Sequence, residues 1–166
     1  MTTVTFVGTK VNLNGTFPKV GSQASEFKLV KSDLKELSLS DLKGKKVVLN
    51  IFPSLDTKVC AMSVRNFNRI ASEMKNTIVL AISKDLPFAH ARFCTTEGIE
   101  NLTGLSAFRN LSFGEEYGVD IVDGPLAGLL ARAVIILDEQ GKIIYTELVP
   151  EITHEPNYEA ALKILK

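Results

Sequence analysis

The chain carries only two thiols, Cys60 and Cys94, 34 positions apart, and the first stands where a thiol gains reactivity. The run Val47-Val48-Leu49-Asn50-Ile51-Phe52 is mostly apolar and β-branched over a strand's length, and Pro53 ends it by removing a backbone donor. Asp56 and Thr57 are both N-cap types. Val59, Met62, Val64, Phe67, Ile70, Ala71 and Met74 follow at roughly helical spacing, which puts Cys60 in the first turn of a helix. Unpaired backbone N–H groups and the positive end of the helix dipole there favour a thiolate over a thiol. The thiolate is the nucleophile, and an ordinary thiol of pKa about 8.5 is only a few per cent ionised at neutral pH. Position alone leaves two readings open, an activated nucleophile and a small buried hydrophobe.

Cys94 raises the same choice. With no Cys-x-x-Cys in the chain, a thioredoxin-type oxidoreductase and a zinc ribbon or finger are both disfavoured. His90 and Cys94 have i, i+4 spacing, so a metal site with Cys60 and His154 is conceivable, but four single donors scattered along a chain are a poor metal signature. A Cys–His hydrolase would use His90 or His154 as base, although no motif ties either to Cys60. A non-catalytic interaction module would leave both thiols inert. Arg132 opens a strongly apolar strand, where its charge needs a partner, an exposed acid at the strand end being the simplest. Arg65, five residues beyond Cys60, faces either solvent or a carboxylate.

These residues need a scaffold, and the 166 residues suffice for one domain over the whole chain, 1–166, with a substantial core. Lys plus Arg equals Asp plus Glu, so global charge gives no reason to expect a nucleic-acid or anionic-membrane partner. Met1 to Phe6 lacks a charged segment followed by a sustained apolar one, and no later apolar run reaches the length of a membrane span. The expectation is a soluble, cytoplasmic protein, where disulfides are more often transient and catalytic than structural.

Val4 to Leu13 reads as an N-terminal hairpin broken at Gly8-Thr9-Lys10, and Phe27 to Val30 as a strand with one buried face. After the Cys60 helix, Ile78 to Ile82 forms another strand, and strand, helix, strand in that order implies a right-handed unit with parallel strands. Asp85 is a candidate N-cap for a helix over Leu86 to Thr95, with Pro87 tolerated in its first turn and Cys94 near its end before Gly98. Leu102 to Phe108 suggests a short strand and Phe113 to Tyr117 a short helix. Ala133 to Leu137 and Lys142 to Leu148 read as an antiparallel hairpin, and Asn157 to Leu165 as an amphipathic helix. The pattern is α/β, a mixed central sheet with helices on both faces.

Several segments occur together in a recognisable order: Pro53-Ser54-Leu55-Asp56-Thr57-Lys58-Val59-Cys60, Ser63-Val64-Arg65, Asp85-Leu86-Pro87-Phe88-Ala89, Arg92-Phe93-Cys94, Asp123-Gly124-Pro125-Leu126, Ala131-Arg132-Ala133 and Glu151-Ile152-Thr153. Nearly the whole chain thereby resembles the peroxiredoxins, with their Pro-x-x-x-Thr-x-x-Cys arrangement, and within them the bacterial thiol peroxidases, atypical two-cysteine members. The resemblance implies a thioredoxin-like fold with an N-terminal β-hairpin extension. It also implies reduction of hydrogen peroxide and organic hydroperoxides without metal, haem or flavin. Cys60 would attack the peroxide and become a sulfenic acid, and Cys94 would resolve it as an intramolecular disulfide. Thr57, about one helical turn before Cys60, is either a plain N-cap or a hydroxyl reaching sulfur or peroxide. Pro53 would shield the thiolate from water, and Arg132 would lie against it as a permanent cation that orients peroxide. Thioredoxin is the implied reductant and a homodimer the implied assembly, with Phe108, Phe113 and Tyr117 as aromatics that could contribute to its contact.

Overall fold

The apolar run before Pro53 forms the middle of a mixed sheet. The structure, a computed structural model, describes residues 2–166. Strands β1 (Thr2–Phe6) and β2 (Thr9–Asn14) make the N-terminal hairpin, followed by β3 (Lys28–Lys31), β4 (Glu36–Ser38) and β5 (Lys46–Ile51). Helix α1 (Lys58–Glu73), β6 (Thr77–Ser83), α2 (Pro87–Glu97), β7 (Thr103–Ser106), α3 (Phe113–Glu116) and β8 (Asp120–Ile121) come next. Strands β9 (Ala133–Leu137) and β10 (Ile143–Leu148) and helix α4 (Tyr158–Leu165) close the chain. Seven strands lie in the order β10-β9-β5-β6-β7-β3-β4, and β1-β2-β8 form a separate small sheet. β5 runs parallel to β6 and antiparallel to β9, with Val48 opposite Val79 on one side and Ile136 on the other.

Strand alternation divides the core. Val47, Leu49 and Ile51 of β5 face a cluster with Leu13, Phe113 and Ile121, covered by the N-terminal hairpin, β8 and the one-turn α3. Val48 faces the other way, with Phe67 and Ile70 of α1 and Ala161 and Leu165 of α4. Full burial of side chains such as Phe67 and Ile70 contributes about 1.5–3 kcal/mol each. A third cluster fills the gap between α1 and α2: Phe52, Leu55, Cys60, Val64, Ala81 and Ile99, with Phe93, Cys94 and Leu102 against it. Both thiols therefore meet the same apolar cluster from different helices.

Local signals account for most element ends. The Thr57 side chain caps α1, and Gly98 ends α2 in the left-handed region at φ 65°. The Asn157 side chain accepts from Ala160 N–H at 3.0 Å and caps α4. Three expectations change. The first hairpin turns at Val7-Gly8, with β2 running through to Asn14. Leu86, not Asp85, is the N-cap of α2 and makes no side-chain cap bond, because the Asp85 carboxylate is engaged elsewhere. Phe113 and Tyr117 are core residues, and the Tyr117 hydroxyl donates to the Ser25 carbonyl, which leaves Phe108 as the one partly exposed aromatic of that trio.

Candidate active site

β5 delivers the chain to Pro53, and the turn Ser54-Leu55-Asp56 feeds it into α1. The Thr57 hydroxyl donates to the Ser54 carbonyl at 3.1 Å and accepts from Cys60 N–H at 3.4 Å, so one side chain fixes both the turn and the first helical turn. Cys60 is completely buried. Its carbonyl accepts from Ser63 Oγ at 2.9 Å, and Ser63 Oγ in turn receives the amide of buried Asn50 at 3.3 Å. A serine hydroxyl on a carbonyl within the helix competes with the backbone ladder and loosens that turn.

Arg132 reaches the sulfur from the strand end ahead of β9. It is 2 % exposed, its Nη2 lies 3.1 Å from Cys60 Sγ, and its Nε donates to the Ile152 carbonyl at 2.9 Å. Its partner is therefore the buried thiol, not the exposed acid that a strand-end arginine most simply finds. Nη1 is buried and finds no acceptor among the described residues. A buried donor without an acceptor costs about 1–3 kcal/mol, so the guanidinium retains unused capacity to bind an oxygen.

A cavity of about 260 Å³ opens beside these groups. Pro53, Thr57 and Arg132 line it, the last two each hydrogen-bonded to Cys60, and Phe6, Val59, Leu126 and Ile152 make the rest largely apolar, with Lys58 and Thr153 completing the lining. Phe6 comes from the N-terminal hairpin, which Glu151 holds in place. Its carboxylate accepts from Gly8 N–H at 2.9 Å, Val7 N–H at 3.2 Å and the Thr5 hydroxyl at 2.8 Å, and also from Thr153 N–H and Oγ1. Desolvation opposes the charge, but these hydrogen bonds outweigh it and hold the Glu151 carboxyl well below the usual carboxylate range.

Cys94 lies outside that cavity. It is half-buried near the end of α2, and burial pushes its thiol pKa up, which keeps it protonated in this arrangement. Both cysteines are free. His90, one turn before Cys94, faces Ser83 Oγ at 3.1 Å and packs near Phe52. Burial, only partly countered by Asp85, drives its pKa down to about 4, so the imidazole is neutral at pH 7. It makes no contact that would let it act as a base for Cys60. His154 is exposed, and among the described residues no group of three or more His, Cys, Asp or Glu could hold a metal ion. Arg65 pairs with Glu97 at 2.9 and 3.0 Å, joining α1 to α2 at the surface, away from the sulfur.

The positions of Cys60, Thr57, Pro53 and Arg132 are thus brought together, while Cys94 stands one helix away. Sequence reasoning did not single out the Ile152 carbonyl that fixes Arg132, the Glu151 staple or the Asn50–Ser63 pair beneath Cys60. The string Glu151-Ile152-Thr153 was visible, but its partners lie about 144 positions earlier in the hairpin.

The profile of the Redoxin family matches residues 19–162. A thiol peroxidase of Corynebacterium glutamicum is 56% identical over 160 residues, covering 96% of each chain. Among solved structures, a peroxiredoxin-like protein from Aquifex aeolicus superposes with a TM-score of 0.92 at 45% identity, covering 98% of this chain and 95% of that one. A thiol peroxidase from Chromobacterium violaceum shares the fold at a TM-score of 0.91 and 24% identity, covering 98% and 94%. The chain belongs to the Redoxin family and, within it, to the thiol peroxidases, peroxiredoxin-type enzymes that reduce peroxides through a cysteine thiol.

Proposed function

We propose that Cys60 is the peroxide-reducing cysteine of this enzyme and Cys94 its resolving partner, acting in one domain over residues 1–166. The contact of Arg132 Nη2 with Cys60 Sγ, 3.1 Å long and buried, carries the proposal. A guanidinium this close donates to the sulfur and orients it, and its unpaired Nη1 offers a donor to a peroxide oxygen. Thr57, whose own hydrogen goes to the Ser54 carbonyl, retains lone-pair capacity to accept from a peroxide O–H. Pro53 presents a ring with no donor and keeps water from the sulfur.

The thiolate attacks the distal oxygen of ROOH in line with the O–O bond. An S–O bond forms, the O–O bond breaks, and the departing alkoxide takes a proton from solvent, leaving Cys60 as a sulfenic acid. Cys94 then attacks the sulfenic sulfur, an S–S bond forms, and hydroxide leaves with the thiol proton as water. Bonding requires the two Cα atoms within about 7 Å, so at least one helix end unwinds in each cycle. A dithiol reductant, thioredoxin by family, then becomes a disulfide while both thiols are restored. The apolar cavity suits organic hydroperoxides as well as hydrogen peroxide. A transient disulfide fits a reducing cytoplasm, and no helix among the described residues is long and apolar enough to cross a membrane. A homodimer is the assembly we expect.

The direct test uses Cys94→Ser with one equivalent of hydrogen peroxide and a sulfenic-acid-specific trapping reagent. An adduct on Cys60, absent in Cys60→Ser, is the expected result. Unmodified Cys60 would contradict the assignment.

A further inference from the structure

The turn that leads into the Cys60 helix, one of the two helix ends that could open for the sulfurs to meet, is anchored to the rest of the fold through one carboxylate. Asp85 Oδ1 accepts from the Ser54 hydroxyl at 2.8 Å, and Oδ2 accepts from Leu55 N–H at 2.8 Å. Among the described residues, every other hydrogen bond made by residues 53–59 stays within that segment or the helix it opens. The remaining polar link outward, Asp56 to Arg92, is an exposed ion pair at 3.9 Å, of a kind worth little.

Asp85 sits at the junction of β6 and α2, in the stretch that leads into the helix carrying Cys94. Its side chain also accepts from Ser83 Oγ, its backbone N–H donates to that same oxygen at 3.2 Å, and its carbonyl accepts from Ser106 Oγ. Ser83 Oγ has one hydrogen, given to Asp85, so neutral His90 must donate its Nε2–H to Ser83. The carboxylate is thereby fixed by Ser83 of β6, itself held by His90 of α2, while Ser106 of β7 fixes the Asp85 backbone, and the carboxylate holds the turn in front of Cys60. Leu55, the residue whose N–H it grips, is 5% exposed and belongs to the apolar cluster that both cysteines touch.

We propose that Asp85 is a positioning residue for the resolving step, a latch that keeps the Ser54–Leu55 turn closed and so sets the balance between disulfide formation and over-oxidation of Cys60. This rests on the assignment of Cys60 and Cys94 above. While the latch is closed, Cys60 stays beside Arg132 and reacts with peroxide. Freeing Ser54 and Leu55 lets the first turn of α1 unwind toward α2. Resolution slows in proportion to the strength of the latch, and a sulfenic acid that waits meets a second peroxide and becomes a sulfinic acid.

The experiment is rapid acid-quench mass analysis of the full chain across a hydrogen peroxide series, in wild type, Asp85→Asn and Ser54→Ala, which resolves the sulfenic, disulfide and sulfinic forms. Loss of one charge-assisted hydrogen bond predicts disulfide formation faster by roughly tenfold in Asp85→Asn, with a smaller gain in Ser54→Ala. Sulfenic acid formation should change by less than about twofold, since the closed state remains the main one in the absence of peroxide. The peroxide concentration that half over-oxidises Cys60 should rise with the resolution rate. A merely structural role would slow both steps together or leave their ratio alone. An unchanged or slower resolution in both variants, in a wild type that does form the Cys60–Cys94 disulfide, overturns the latch. If Asp85→Asn folds poorly, Ser54→Ala decides by itself. A wild type that forms no such disulfide overturns the two-cysteine assignment instead.

Discussion

Arg132 and Cys60 are 72 positions apart and meet in the interior, where Nη2 lies 3.1 Å from the sulfur. The Ile152 carbonyl on Nε sets the plane of the guanidinium, so the fork geometry matters as much as the charge. Arg132→Lys keeps the charge but cannot serve sulfur and carbonyl together. Its rate of thiol loss with peroxide should fall by roughly ten- to a hundredfold, the value of a charge-assisted hydrogen bond. Arg132→Met should lose at least as much, and equal rates in wild type and Arg132→Lys would show that geometry is unimportant.

Thr57 spends one hydroxyl on the turn and the helix cap, and in the proposed reaction the same oxygen meets the peroxide. Thr57→Val should cost about 1 kcal/mol as a lost N-cap and also slow the peroxide step, whereas Thr57→Ser should retain both. Thermal unfolding and single-turnover kinetics on the two variants separate the contributions. A Thr57→Val protein that is less stable but equally fast would confine Thr57 to capping.

His90 gives stability a defined pH dependence. Its folded pKa of about 4 lies below the ordinary histidine value of about 6.5, so between these the unfolded chain binds the extra proton. Stability from this group is complete above about pH 6.5, falls as pH drops and is fully lost below about pH 4, on the order of 3 kcal/mol in all. Denaturant titrations should show that slope, and His90→Gln should flatten it. An equal slope in both proteins would mean the imidazole is already charged in the fold.

Glu151 should matter at lower pH than His90 and for the opposite chemical reason. Desolvation works against its charge, yet the bonds from Thr153, Gly8 and Thr5 keep it ionised, so its contribution is present above the ordinary carboxylate pKa and lost as pH falls below that. The same carboxylate holds Val7 at φ 50°, a left-handed conformation costly for a β-branched residue. Glu151→Gln should speed amide exchange at Val7, Gly8 and Thr153, and Val7→Asn should raise the melting temperature. Unchanged exchange in Glu151→Gln would mean that the hairpin is held by its apolar contacts alone.

Where the controlling interactions are local, the sequence was readable. The β-branched run into Pro53, the cap at Thr57, the glycine after α2 and the Asn157 cap depend on neighbours a few residues away, and the elements appear where those signals place them. Asp85 misled because its spacing to Pro87 resembles a helix start, while its carboxylate is claimed by Ser54 and Leu55 from about 30 positions earlier. β4 and β8, three and two residues long, are defined by pairing with other strands and carry no period of their own. At the site, Thr57 and Cys60 could be placed by helical spacing. The contact of Arg132 with the sulfur follows from the antiparallel pairing of β5 with β9, which sets Ile51 opposite Ala133; spacing did not show it, and only the resemblance carried by Ala131-Arg132-Ala133 pointed to it.

The most direct measurement is the intact mass and free-thiol count of the wild-type chain after one equivalent of hydrogen peroxide, with peptide mapping of any disulfide. Cys60 as the attacking thiol and Cys94 as its resolving partner predict loss of both thiols, a mass lower by two hydrogens and a single Cys60–Cys94 bridge. Two unreacted thiols would contradict that pairing and the peroxide chemistry built on it.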